Sequence, residues 1–396
     1  MSNTTLSGGL FEPFRFDSGV TLRNRVAMAP MTTWSANPDG SVSEAELEHY
    51  RLRAQGVGLV ITGCTHVLAN GIGFTDEFAA HDDRFIPSLR RLAESAKSGG
   101  ALAILQIFHA GNKAVVDAMP NGEPVSASGV SALPGPFNPE GVASRALSHD
   151  EVLDVIHAFG QAARRAIEAG FDGVELHGAH GFLIQNFFSP RYNQRTDDWG
   201  GSPEKRMRLP LAIVREVQAQ IAAHARKPFL LGYRFSPEER EDGGYRLADV
   251  CQLLDALIDG GVDYLHASLN DILGAVPLGE DPRLTAEQLV AHVSGRVPLM
   301  GARQLRTPAA AQAALALGLP LVAVGKGLIM NPDWVALSQA QRHDDISETL
   351  CETHAPRLVI PDGLWHAIKA APGWFPVRQT PVASEGLVLQ GTSAGS

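Results

Sequence analysis

The chain has 396 residues, of which 44% are hydrophobic and 19% charged, enough apolar material for a large core and too much for wholesale disorder. Its formal net charge of −10 argues against broad nucleic-acid binding, which needs a basic face. The three cysteines, Cys64, Cys251 and Cys351, are dispersed and form no CxxC pair, which argues against a disulfide framework or zinc ribbon and fits a reducing compartment.

Met1–Phe14 shows no basic stretch followed by an apolar one, so no secretory signal is visible. No apolar run approaches the roughly 20 residues needed to cross a bilayer. A cytoplasmic protein without membrane or nucleic-acid partners is expected. Eight short apolar runs then follow: Arg25–Ala29, Gly58–Thr62, Leu102–Ile107, Gly173–Leu176, Phe229–Tyr233, Val262–His266, Val297–Met300 and Leu321–Val324. Continuous apolar runs suit parallel strands buried on both faces.

Helical stretches separate them and carry end signals. Ser148 to Glu151 spells a capping box, with Val152, Val155, Ile156, Phe159, Ala163 and Ala166 at helical spacing and Gly170 as a stop. Ser202-Pro203 and Thr307-Pro308 each place an N-cap before a proline at the first helical position. Strand–helix alternation repeated eight times predicts a (β/α)8 barrel. The alternative is a doubly wound open sheet, but Pro30-Met31-Thr32-Thr33-Trp34 stands where a GxGxxG turn would follow the first strand. Met119–Arg145, rich in Pro, Gly and Ser, is longer than ordinary loops and is expected to be a lid. Residues 1–340 form the expected barrel and 341–396 a C-terminal extension, with Gly386–Ser396 as a flexible tail.

Functional residues of a barrel lie at the C-terminal ends of its strands. Strand by strand, these are Thr32 and Trp34; Cys64; Gln106 and His109; His177 and His180; Arg234; His266 and Asn270; Gly301 and Arg303; Gly325 and Lys326. Glycine turns after the last two strands, with Lys326 beside them, suit a phosphate. His177-x-x-His180 admits three readings: metal ligands, which require a third partner such as Glu175 whose direction is ambiguous; donors to a carbonyl oxygen gaining charge; or a core pair.

The segment Val174–Arg195 (VELHGAHGFLIQNFFSPRYNQR), continuing through Thr196–Arg206 (TDDWGGSPEKR), resembles the old yellow enzyme family of FMN-dependent ene-reductases. So do Leu22–Met31 (LRNRVAMAPM), Leu105–Lys113 (LQIFHAGNK) and Gly232–Glu238 (GYRFSPE), collinear over about residues 10–340. GYRFSPEE, with Tyr264-Leu265-His266 after it, is closer to the bacterial NADH-dependent flavin oxidoreductase branch. The resemblance implies FMN above the barrel, with Pro30, Met31 and Thr32 along the ring and Thr32 tuning its potential. Cys64 falls near the ring and Gln106 at the pyrimidine edge. Arg234 falls where charge accumulates on reduction, and Gly301, Ala302, Gly325 and Lys326 at the phosphate. His177 and His180 become the catalytic clamp on a carbonyl oxygen, with His177 also beside the cofactor and no metal. Trp34, Phe182 and Tyr192 would border the substrate.

The implied reaction is hydride transfer from NADH or NADPH to the activated C=C of an α,β-unsaturated carbonyl compound. A small-molecule substrate follows; homo-oligomerisation is left open. Two departures stand out. Lys326 replaces an arginine, losing a bidentate fork. Phe182 replaces the tyrosine that donates a proton to Cα, leaving solvent, Tyr192 or Trp34. This keeps open a flavin-dependent desaturase; a redox sensor that does not turn over, acting through the C-terminal extension, is a separate alternative. No 4Fe–4S and FAD domain of the kind some relatives carry is expected in the short, cysteine-poor extension.

Overall fold

Eight strands of three to seven residues close on themselves in the computed structural model, which describes residues 9–135, 143–279 and 281–378. They are β1 (Val26–Met28), β2 (Leu59–Ile61), β3 (Leu102–Phe108), β4 (Gly173–Gly178), β5 (Leu230–Phe235), β6 (Tyr264–Ser268), β7 (Leu299–Ala302) and β8 (Leu321–Val324). Each pairs in parallel with the next. Val322 opposite Val26 and Val324 opposite Met28 then join β8 to β1. The sheet is therefore a closed (β/α)8 barrel and not an open doubly wound sheet.

Helices α1 (Glu44–Arg53), α2 (Ile86–Lys97), α3 (His149–Ala169), α4 (Arg208–His224), α5 (Leu247–Asp259), α6 (Thr285–Val293) and α7 (Pro308–Ala316) alternate with the strands. Short α8 (Lys326–Met330) and α9 (Trp334–Gln339) follow β8. Local chemistry sets several ends. The Ser148 hydroxyl accepts from the Glu151 N–H, the Glu151 carboxylate accepts from the Ser148 N–H, and Gly170 stops α3 at φ +89°. Ser202 and Thr307 cap helices that begin at Pro203 and Pro308.

Alternate strand residues face opposite ways. Val26, Met28 and Val60 pack outward with the helices, whereas Ala27, Leu59, Ile61, Ile104, Leu230 and Leu321 fill the barrel. A hairpin of Phe14–Arg15 and Thr21–Leu22 brings Phe16 and Leu22 to the same interior cluster. Each of the buried Leu, Ile and Phe side chains contributes about 1.5–3 kcal/mol, so apolar packing seals one end and polar chemistry is confined to the other.

Register builds that polar end in layers. Gln106 lies opposite Glu175, Glu175 opposite Gly232, and Gly232 opposite Tyr264. Two residues further on, His177 lies opposite Arg234 and Arg234 opposite His266. A Cβ at Gly232 would collide with the Tyr264 ring, so glycine there lets the phenol reach across the barrel. Four strands extend two residues past the apolar runs expected from sequence: β4 takes in His177 and Gly178, β5 Arg234 and Phe235, β6 Ala267 and Ser268, and β7 Gly301 and Ala302. Hydropathy misses them because the inward positions there turn polar while the backbone ladder continues.

Beyond residue 340 the chain folds back onto the barrel. Leu364 and Ile368 of α10 (Asp362–Ala370), with Phe375, pack on Ile329 and Met330 of α8. Buried Arg53 donates to the carbonyls of Leu358 (2.6 Å), Ile329 (3.2 Å) and Val359 (3.3 Å), and the Gly363 N–H donates to Ser35 Oγ at 3.0 Å. The expected tail, 386–396, lies outside the described residues, as does 136–142 of the expected lid. The rest of that loop is anchored: Asn112 Nδ2 donates to the Val130 carbonyl and Ser128 Oγ to that of Tyr192. No helix among the described residues is long and apolar enough to cross a membrane.

Candidate active site

A cavity of about 480 Å³ opens at the C-terminal end of the strands. Pro30, Met31, Thr32, Trp34, Cys64, Gln106, His177, His180, Phe182, Tyr192, Arg234, Ala302, Gly325 and Lys326 all line it, whereas Gly301 and His266 do not. A Cβ at Gly301 would meet Leu319 and Ile272, so this position faces the outer helices and Ala302 faces the cavity. His109 also lies away from the cavity. Its Nδ1 accepts from the Gly111 N–H and its Nε2 lies 3.3 Å from Asn70 Oδ1.

Beneath the cavity a buried network is centred on Glu175, whose direction the sequence left ambiguous. Its carboxylate accepts from Gln106 Nε2 (2.7 Å) and the Tyr264 hydroxyl (3.0 Å) and lies 3.0 Å from His266 Nδ1. Burial opposes its charge, but His266, Arg234 and the Gln106 bond outweigh burial and hold the carboxyl below its usual range. With its acceptors taken by three donors inside the barrel, Glu175 belongs to this network and not to a metal set with His177 and His180. Gln106 is fixed by it, and the Cys64 thiol points at Gln106 Oε1 from 3.6 Å. Burial pushes the Cys64 thiol up, so it stays protonated.

Above this layer stand the two histidines. The Ala179 N–H donates to His177 Nδ1 at 3.3 Å, which assigns the ring proton to Nε2. His180 sits in a left-handed turn at φ +59°. Its Nε2 lies 2.7 Å from Ser268 Oγ, which also accepts from Arg234 Nη2 at 3.2 Å. The two imidazole centroids are 4.9 Å apart. Burial, then Arg234, drives both histidines well below the usual range, so each is neutral at pH 7 with one N–H to give. Burial lowers Arg234 to about 10, so it remains a cation.

The cavity is polarised along its length. Arg303, Arg306 and Lys326 meet at the ends of β7 and β8, close enough that both arginines lower Lys326 after burial does. Arg303 and Gln304 adopt left-handed φ values of +91° and +59°, turning the loop after β7 toward the cavity. The Lys326 ammonium donates to the Trp374 carbonyl, which ties this cation to the extension. Among the described lining residues only Glu241 is acidic. The other end is aromatic: Trp34 packs edge-on to Phe74 (5.2 Å) and Trp374 (5.9 Å), and Phe182 edge-on to His177 (4.9 Å).

This donor set suits FMN on grounds internal to the structure. Three cations offer a phosphate site, and Lys326 is not alone there. The buried Arg234 Nε has no partner among the described residues, as expected of a group that awaits an acceptor. Gln106 and Arg234 are held where they can meet polar edges of a planar ring, with Pro30 and Met31 alongside. Sequence reasoning missed Lys113, Arg306, Ser268 and Trp374. Arg306 could have been found as the second basic residue of Arg303-Gln304-Leu305-Arg306, and Ser268 as a polar residue two past His266. Trp374 comes from the far end of the chain and leaves no local signal.

Residues 9–345 match the model of the NADH:flavin oxidoreductase / NADH oxidase family. The chain is 43% identical over 370 residues to the probable NADH-dependent flavin oxidoreductase YqiG of Bacillus subtilis, covering 93% of this chain and 98% of that protein. It is 39% identical to the NADH:fumarate oxidoreductase of Klebsiella pneumoniae, but spans only 38% of that longer protein against 90% of itself. The old yellow enzyme homologue from Zymomonas mobilis superposes with a TM-score of 0.73 at 27% identity, covering 84% of this chain and 93% of that one. The chain therefore belongs to the NADH:flavin oxidoreductase / NADH oxidase family, as an FMN-dependent oxidoreductase of the old yellow enzyme type that draws on a nicotinamide cofactor.

Proposed function

We propose that the protein reduces the activated C=C bond of small α,β-unsaturated carbonyl compounds at the expense of NADH or NADPH. The observation that carries this reading is the pair of neutral histidines, each with one N–H, side by side above Arg234 and facing an aromatic wall. The chemistry that bound FMN would supply is the relay of a hydride equivalent between the nicotinamide and the substrate. The chain's own residues do the rest. His177 and His180 bind the substrate's carbonyl oxygen and donate to it more strongly as it gains negative charge, which favours the transition state over the ground state. Arg234 and the Glu175 network hold this pair and Gln106 in place. Trp34, Phe74, Phe182 and Trp374 exclude water from the reacting carbons. Arg303, Arg306 and Lys326 hold the cofactor's phosphate.

The test is anaerobic. NADH or NADPH should bleach the yellow protein, and 2-cyclohexenone should restore its colour and yield cyclohexanone. Bleaching without enone-dependent recovery would overturn the reductase reading and leave the desaturase, which Phe182 favours, or the redox sensor.

A further inference from the structure

The aromatic end of the cavity contains one cation that the cofactor has no use for. Lys113, in the loop after β3, lines the cavity beside Phe182, its ammonium 5.8 Å from the centroid of that ring. It is fixed there by a bond from Nζ to the His180 carbonyl at 2.6 Å. Gly181 makes the room, since a Cβ at that position would come within 2.9 Å of Nζ. The same amine borders a second compartment of about 260 Å³, which Glu239 and Glu241 also line. Lys113 thus stands between the reacting space and a polar compartment, next to the position from which a phenol is missing.

We propose that Lys113 is the general acid of the reaction, delivering the proton that the substrate's Cα requires in place of the tyrosine absent at position 182. The step rests on the enone-reductase reading above. Hydride from NAD(P)H adds to Cβ and the π electrons move to the carbonyl oxygen, giving an enolate held by His177 and His180. A proton on Lys113 Nζ passes to Cα, the C=O bond re-forms, and the lysine is left as a neutral amine. It regains a proton from water through the compartment bordered by Glu239 and Glu241.

The charged and titratable groups around Lys113 are Glu239, Glu241, His177 and His180, with Tyr192 and Arg303 lining the same two compartments. Burial lowers its pKa, and the two glutamates work against that. An ammonium so placed is a better acid than a free lysine.

The test uses the FMN-loaded enzyme, NADH and 2-methyl-2-cyclohexenone, whose product carries at C2 a record of the face protonated. Lys113→Met should slow substrate-dependent reoxidation by about 10²-fold and erode the enantiomeric ratio at C2, leaving bleaching by NADH within a few-fold of wild type. Lys113→Arg keeps the charge but is too weak an acid to donate. It should behave like Lys113→Met, and the wild-type fall in rate at alkaline pH should be absent from both. An Arg variant with full rate and enantiomeric ratio would overturn the proposal, showing that only the charge matters. So would loss of stereochemical control in Tyr192→Phe but not in Lys113→Met. If wild type bleaches but never reduces an enone, the reductase reading itself fails. Normal wild-type turnover with unaffected Lys113 variants fails the lysine alone.

Discussion

The hydroxyl of Ser268 lies 2.7 Å from Nε2 of His180. Because the same oxygen accepts from Arg234, whose guanidinium can only donate, its own proton is available to His180 Nε2. That arrangement leaves the imidazole proton on Nδ1 as the group offered to a substrate. Ser268→Ala removes the constraint on both tautomer and ring orientation. The expected result is a KM for 2-cyclohexenone raised about 5–10-fold, equivalent to the about 1 kcal/mol of one buried hydrogen bond, with the rate of NADH-driven bleaching unchanged. Stopped-flow measurement of the two half-reactions separates these effects. Equal losses in both would mean that Ser268 supports the cofactor and not the clamp.

Phe182 packs edge-on against Phe108 at 5.0 Å and against His177 at 4.9 Å, in a position 6% exposed that borders the cavity. Phe182→Tyr adds one oxygen at the rim of this cluster. The variant should gain turnover with enones modestly, and should rescue Lys113→Met by about 10-fold or more, as expected when a missing acid is replaced. Reduction of 2-cyclohexenone in D2O gives the readout. Unchanged turnover and unchanged deuterium incorporation at Cα in both backgrounds would show that residue 182 is not a proton-delivery position.

Lys326 lies with Arg303 and Arg306 at the phosphate end and donates to the Trp374 carbonyl. Losing one of three cations should weaken FMN binding without abolishing it. Lys326→Met is expected to raise the FMN dissociation constant about 10-fold, the lower end of the about 1.5–3 kcal/mol of a hydrogen bond to a charged group. Quenching of FMN fluorescence on titration with apoprotein measures this. An unchanged constant would assign Lys326 to anchoring the extension alone.

What the sequence disclosed follows from which physical signals are local. Capping at Ser148 and the stop at Gly170 depend on hydrogen bonds within four residues and a single φ, so they could be read directly. His177, His180 and Arg234 could be read because polar residues at the ends of buried strands are conspicuous against apolar runs. The direction of Glu175 could not. Strands buried on both faces lose the alternation that tells inside from outside, and only the register with Gln106 and Gly232 settles it. Which way Gly301 faces was hidden for the same reason. It and Ala302 are adjacent, and one residue of offset turns a position from the cavity to the helices. Trp374 and Lys113 were invisible for different reasons: the first depends on the chain folding back over hundreds of residues, the second on where a long flexible side chain comes to rest.

Glu46 connects the cavity wall to α1. Its carboxyl accepts from Thr33 Oγ1 at 2.6 Å and from the Ser43 N–H at 3.0 Å, immediately behind Thr32. Burial raises its pKa to about 7, and the Thr33 and Ser43 bonds only partly counter this. An unfolded glutamate titrates near ~4.3, so folding takes up a proton between the two values. The protonated carboxyl therefore contributes stability that is complete below ~4.3 and is lost as pH rises through about 7. Glu46→Gln keeps a neutral side chain of the same shape that can still meet Thr33 and Ser43. Between pH 5 and pH 8 the wild type should lose about 2–3 kcal/mol relative to this variant, two pH units of such linkage. Urea unfolding of both proteins at the two pH values measures the difference, and a gap that stays constant would place the titration of Glu46 outside this range. At pH 8 the ionised carboxylate sits behind the Pro30–Trp34 turn, so the variant should also bind FMN at least as tightly there as wild type does.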